Sequence, residues 1–171
     1  MSFFNDEVSQ ELDKKTSGFY SLEEGQNNFR IVSDFAWGYK YNFKNRAEGE
    51  AKEYPFYKMS APEVEANRSK LVLTCLMVVY DYKTKELKPF SVYQKNILNA
   101  IKEYAENKKY GTPTSYDLTI TKKGSGKETK YPSIIADPPE IASKEVLDAV
   151  ESVKINMDNA YTGQPIIESK E

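Results

Sequence analysis

Between residues 35 and 43 every odd-numbered position is aromatic: Phe35, Trp37, Tyr39, Tyr41 and Phe43 alternate with Ala36, Gly38, Lys40 and Asn42. A period of two puts five rings on one face of an extended strand, whereas a helix would scatter them around its circumference. Five rings exceed what one side of a small core usually needs, and Lys40, Lys44 and Arg46 lie among them or just beyond. Rings interleaved with cations are how proteins hold unpaired nucleic acid, the rings stacking on bases and the cations meeting phosphates. The competing reading is packing alone, since aromatic residues favour strands. Gly38 is expected to bend the strand, so that its first half faces a core and its second half an open surface.

The flanking sequence extends this strand into a sheet. Phe29, Ile31, Phe35 and Trp37 share one parity, which predicts a single long, bent strand over 28–44. Residues 45–70 lose the pattern at Gly49, Pro55 and Pro62 and read as a long loop over or beside the binding face. Residues 71–82 are apolar on both parities until their end, as in a central strand covered on both sides. A turn over 83–86 leads to a partner strand over 87–93, in which Pro89 marks an edge or a bulge. The period then changes, and Ile97, Leu98, Ile101 and Tyr104 define one face of a helix of three to four turns. A half-exposed strand from Tyr116, a basic glycine-rich hairpin tip (Lys122, Lys123, Lys127) and a returning arm over 129–135 complete the sheet.

The expected fold is therefore mainly β with helices (α+β): a five-stranded OB-fold barrel with a helix between strands three and four. The rival is another five-stranded sheet with one helix packed across it. The expected organisation is a mobile arm over 1–17, with a short helix near 8–12 as the alternative. The binding domain follows over 18–139. A C-terminal helix capped by Ser143 and a loose acidic tail occupy 140–171.

Composition narrows the chemistry. The chain has no histidine and one cysteine, Cys75, inside the apolar run. No internal disulfide is possible, and the common nucleophile-and-base pairs and Cys/His zinc sites are excluded. No carboxylate cluster or phosphate-cradling glycine loop stands out. The chain reads as a binding protein rather than an enzyme, with no cofactor and no metal. It shows neither a membrane span nor a signal peptide, which leads to the expectation of a soluble cytoplasmic protein.

The net charge of −2 conceals a pattern. Residues 1–29 carry −4, residues 30–130 carry +7, and residues 131–171 carry −5. A basic middle suits a phosphate-binding surface, because local cations rather than the total meet the phosphates. On this basis the candidate stacking residues are Trp37, Tyr39, Tyr41 and Phe43, extended by Tyr80, Tyr82 and Tyr93. The candidate phosphate contacts are Lys40, Lys44, Arg46, Lys122, Lys123, Lys127 and Lys130.

Three segments carry a family likeness. Leu22, Gly25, Asn27, Phe29, Arg30 and Ile31 open the first strand, and Tyr110-Gly111 follows the helix. The third runs Tyr116-Asp117-Leu118-Thr119-Ile120-Thr121-Lys122-Lys123-Gly124-Ser125-Gly126-Lys127-Glu128-Thr129-Lys130-Tyr131. Together they resemble tailed-phage single-stranded DNA-binding proteins over about residues 20–140. The resemblance implies an OB-fold that coats single-stranded DNA during phage replication, recombination and repair in the cytoplasm of the infected host. Some such proteins carry a Cys/His zinc insertion, for which residues 45–70 have no ligands. Others recruit replication or recombination proteins through a strongly acidic tail, of which Ile166-Ile167-Glu168-Ser169-Lys170-Glu171 is a faint version. Two alternatives share the surface: a protein-interaction module or phage structural component using the rings as a docking patch or core, and an RNA-binding OB protein.

Overall fold

The computed structural model describes residues 18–42 and 55–170. The expected N-terminal arm and the expected site residues Phe43, Lys44 and Arg46 lie outside the described residues. The fold is mixed α+β, an antiparallel sheet with three helices. Its strands are β1 (Gly25–Ile31), β2 (Ala36–Tyr41), β3 (Tyr57–Lys58), β4 (Leu71–Asp81), β5 (Glu86–Val92), β6 (Asp117–Lys123) and β7 (Lys130–Ala136). The helices are α1 (Pro62–Ala66), α2 (Lys95–Glu106) and α3 (Lys144–Glu151). A ribbon of β8 (Val153–Ile155) and β9 (Ile167–Ser169) forms a second, two-stranded sheet.

Strand β4 organises the sheet. Along one edge it pairs first with β2, from Leu71 opposite Tyr41 to Leu76 opposite Ala36, and then with β1, from Val79 opposite Ile31 to Asp81 opposite Phe29. Its other edge pairs with β5. Strand β1 pairs in turn with β6, and β6 with β7. The sheet does not close: among the described residues β5 pairs only with β4 and β7 only with β6. The space between those edges is spanned by α2, whose Tyr104 hydroxyl donates to the Ile134 carbonyl at 3.3 Å. Gln94 donates to the Tyr131 hydroxyl at 3.2 Å across the same gap. The expected five-stranded closed barrel is thus replaced by an open sheet of seven strands with a helix over the opening.

The expected single strand over 28–44 is divided. Val32 still donates its N–H to the Val78 carbonyl at 2.9 Å; residues 33–35 then leave the ladder, and the Ser33 hydroxyl takes the place of a backbone acceptor by receiving the Val78 N–H at 2.8 Å. The break therefore lies before Gly38, which is not the bend. A Cβ on Gly38 would stand 2.3 Å from the Tyr57 carbonyl oxygen and 2.8 Å from the Phe56 ring, so the glycine is required by close approach of β3. Part of the expected 45–70 loop is ordered structure: β3, the short helix α1 with Val64 buried, and a 3-10 turn over Arg68–Lys70.

Two cores form on the two faces of β4. The inner one gathers Phe29, Ile31, Cys75, Met77, Val79, Phe90, Val92, Leu118 and Ile120 beneath Ile97 and Ile101 of α2. The outer one is shallower and joins Ala36, Leu76 and Val78 of the sheet to Phe56 and Ile166, with Met157, Tyr161 and Ile167 packed around them. Its cover comes from the expected loose tail. Residues 153–169 instead form the β8–β9 ribbon and a 3-10 turn over Met157–Tyr161 that lie on the sheet. Helix α3 starts where expected, with the Ser143 hydroxyl accepting from the Val146 N–H at 3.4 Å.

Candidate nucleic-acid interface

Residues directly opposite each other in an antiparallel pair share a face of the sheet. Trp37 stands opposite Cys75, Tyr39 opposite Leu73 and Tyr57, and Tyr41 opposite Leu71. The ring row is therefore the continuation of the inner face that Phe29 and Ile31 occupy one strand earlier. In β2 that face runs past the helix-covered core: Trp37 is 39% exposed and Leu73 37%. The rings pack edge-on with one another, Phe35 against Trp37 at 6.2 Å and Tyr41 against Tyr57 at 6.5 Å.

The intervening positions point the other way. Gly38 lies opposite Thr74 and Lys40 opposite Val72, on the outer face. Lys40 is thus separated by the sheet from the rings that flank it in sequence, and it meets a different set. Its ammonium lies 5.5 Å from the centre of the Phe19 ring and 5.7 Å from that of Phe56. Beside it runs a groove of about 400 Å³ lined by Phe19, Lys40, Val72, Thr74, Ser91 and Tyr93. Phe19 and Tyr93 are 53% and 50% exposed. Two half-open rings thus flank a cation held against aromatic faces, a geometry that suits a base between rings and a phosphate on the ammonium.

Phe19 reaches the groove because its neighbour is anchored. Tyr20 donates its N–H to the Pro89 carbonyl at 2.7 Å along the outer edge of β5. Its ring is buried against Phe29 and Phe90 at 5.2 and 5.0 Å, and the burial pushes its hydroxyl pKa up. With Tyr20 turned inward, the adjacent side chain of an extended segment must turn out. The pair Phe19-Tyr20 carried that signal in the sequence, but only the partner of Tyr20 shows which ring is free. Phe56 lies on the 45–70 loop expected over or beside the binding face, but no periodic context singled it out as a site residue.

The remaining candidates divide. Tyr93 belongs to the groove. Tyr80 is 1% exposed, burial and the nearby Glu145 carboxylate of α3 raise its hydroxyl pKa, and it is corrected from platform to core. Even-numbered residues of β4 face outward, but the C-terminal segment covers this one. The Tyr82 hydroxyl donates to Asp117 at 2.6 Å, and burial together with that carboxylate raises its pKa. Asp117 also meets the buried Arg30 guanidinium at 3.4 Å, and Arg30 donates as well to the carbonyls of Thr114 and Glu140. Tyr82 is therefore part of a structural clasp. Lys122 donates to the Leu22 carbonyl at 3.2 Å, which ties the β6–β7 hairpin to the turn preceding β1. Lys123, Lys127 and Lys130 are exposed on that hairpin.

Burial pushes the Cys75 thiol up to about 12, so it stays protonated and unreactive at neutral pH. Among the described residues no group of three or more His, Cys, Asp or Glu is placed to hold a metal ion. Nor is any described helix long and apolar enough to cross a membrane.

No known protein family, characterised protein or solved structure matches the chain. The functional reading rests on the geometry and on the resemblance quoted above.

Proposed function

We propose that this protein binds single-stranded DNA along the outer face of the β2–β4–β5 sheet and coats it during phage DNA replication and recombination. The observation that carries the reading is the Phe19–Lys40–Tyr93 groove: two half-exposed rings on either side of a cation. The strand order, with a helix between the β4–β5 and β6–β7 hairpins, suits an OB-type sheet whose face and loops hold oligonucleotides. Rings accept any base, and phosphate contacts ignore sequence, so preference among bases is slight. The exposed lysines of the β6–β7 hairpin extend the positive field beside the strand. Phage replication or recombination proteins would dock at the acidic ends of the chain.

The test is titration of a fluorescently labelled oligo-dT with the protein, followed by its anisotropy. Saturable binding that weakens steeply with salt, absent with duplex, is the expected result. Lys40→Glu should weaken it by more than about tenfold, and Tyr93→Ala by about fivefold or more, the size of one lost stacking contact. Failure of the wild-type protein to bind oligo-dT at low salt would overturn the reading.

One observation favours a different class. Trp37 and Leu73 leave apolar surface open on the inner face, while Lys40 of the same strand lies on the outer one. A protein-docking module would use that surface, and it predicts no binding of oligo-dT.

A further inference from the structure

The 3-10 turn at the end of the outer cover carries Tyr161. Its ring lies parallel to that of Phe56, with centroids 5.1 Å apart and planes 10° from coincidence. The Lys58 ammonium sits over the Tyr161 ring at 5.5 Å from its centre. Its hydroxyl donates to the main-chain carbonyl of Trp37 at 2.8 Å. Other close ring pairs in this chain are tilted or edge-on, as packed aromatic side chains usually are. Among the described residues, only Tyr161 combines a parallel aromatic partner, a cation over the ring and an edge donor bonded to backbone.

Those contacts are what a single-stranded nucleobase asks of a protein: a flat face to stack on, a cation near its π-system and its phosphate, and a carbonyl for its N–H edge. We propose that Phe56, Lys58 and the Trp37 carbonyl form a second nucleobase subsite, and that the chain's own Tyr161 occupies it until a strand displaces it. The proposal rests on the single-stranded DNA reading above and extends it along the same face. Lys40 is the junction, its ammonium lying between Phe19, which belongs to the groove, and Phe56, which belongs to the subsite. A space of about 670 Å³ continues from Phe19 and Lys40 past Phe56 to the turn that carries Tyr161, so the path exists before Tyr161 moves.

The turn is built to move as a unit. Asn156 closes it by donating its N–H to the Ile166 carbonyl at 2.9 Å, and the Asn159 side chain donates to the Pro165 carbonyl at 2.8 Å. The N–H groups of Thr162 and Gln164 both bond to the Asn159 carbonyl. Displacing Tyr161 breaks its stack on Phe56, the Lys58 contact over its ring, its packing on the outer core and one hydrogen bond to Trp37, while these internal bonds travel with it. A base able to donate, such as thymine through its N3–H, restores the bond to the Trp37 carbonyl.

The experiment compares oligo-dT affinity of the wild-type protein with that of Tyr161→Ala and of Tyr161→Ala combined with Phe56→Ala. With Tyr161 gone the subsite is open, and affinity should rise by about fivefold or more, the lower end of what one stacked base contributes. The added Phe56→Ala change should abolish that gain. Equal or weaker binding by a Tyr161→Ala protein with a native melting profile would overturn the subsite. If that variant does not fold, tyrosine nitration of the wild-type protein decides, with the modified residue read by mass spectrometry. Saturating oligo-dT should free the Tyr161 ring from Phe56 and Lys58 and speed its nitration, and unchanged or slower nitration there would overturn the proposal. Absence of any wild-type binding would remove the DNA reading itself, an outcome distinct from failure of the subsite alone.

Discussion

Strands β1 and β2 are consecutive pieces of one path along β4, with the same alternation and the same parity facing the inner side, yet they end in opposite environments. In β1, Phe29 and Ile31 are fully buried beneath α2 and against β6. In β2, Trp37 on the same face is more than a third exposed. The difference is one of cover. Strand β6 pairs with β1 from Gly25 to Arg30, whereas among the described residues the far edge of β2 meets only the two residues of β3. Periodicity assigns a residue to a face; what lies over that face decides whether the residue is core or surface.

The comparison breaks most readily at its buried end. Phe29→Ala should cost about 3–5 kcal/mol, because a fully enclosed ring leaves a cavity that its neighbours cannot fill. Chemical denaturation measures it, and a loss below about 1 kcal/mol would mean that the inner core is not sealed as described. Gly38→Ala probes the opposite face of β2. The added methyl meets the Tyr57 carbonyl and the Phe56 ring, so about 1–3 kcal/mol of overpacking is expected. Oligo-dT affinity should change with it, since Phe56 flanks Lys40; unchanged stability and affinity would show that β3 yields without consequence. Trp37→Ala should have the smallest effect on stability, under about 1.5 kcal/mol, because much of the ring already faces solvent. Read out by oligo-dT binding through a fluorescent oligonucleotide, it should leave affinity nearly unchanged if the strand follows the outer face. A large loss of affinity would place the DNA on the ring row instead.

Much of the sheet was legible in the sequence because its signals are local. The apolar run of β4, the turn at 83–86, the 3.6-residue period of α2 and the alternation of β6 each lie within a single element. The Ser143 cap of α3 belongs to the same class. The candidate site was legible only in part. Lys40 and Tyr93 stand at the groove, but Phe19 enters it, and Phe56 meets Lys40 beside it, from segments whose direction depends on distant partners, Pro89 for one and Gly38 for the other. Tyr80 was misjudged for a related reason: its outward parity was correct, and a helix 65 residues later covers it.

The C-terminal segment marks the limit of local reading most clearly. Residues 153–169 are short, polar and interrupted by Gly163 and Pro165, with no period to announce a strand. They are ordered because Met157, Tyr161, Ile166 and Ile167 find a complementary apolar face on Ala36, Leu76 and Val78.

What the sequence determined alone is which residues alternate, where the periods change and which residue types are present. From these follow the strands, the helix between the hairpins, the basic middle and the absence of imidazole chemistry. The tertiary structure alone decided which face of each strand is covered, that the sheet stays open under α2, and that Lys40 and its neighbouring rings part to opposite sides. The physical reason is that alternation is a property of neighbouring backbone units. Burial and stacking, by contrast, require surfaces from distant parts of the chain to meet, and no single stretch of sequence contains both.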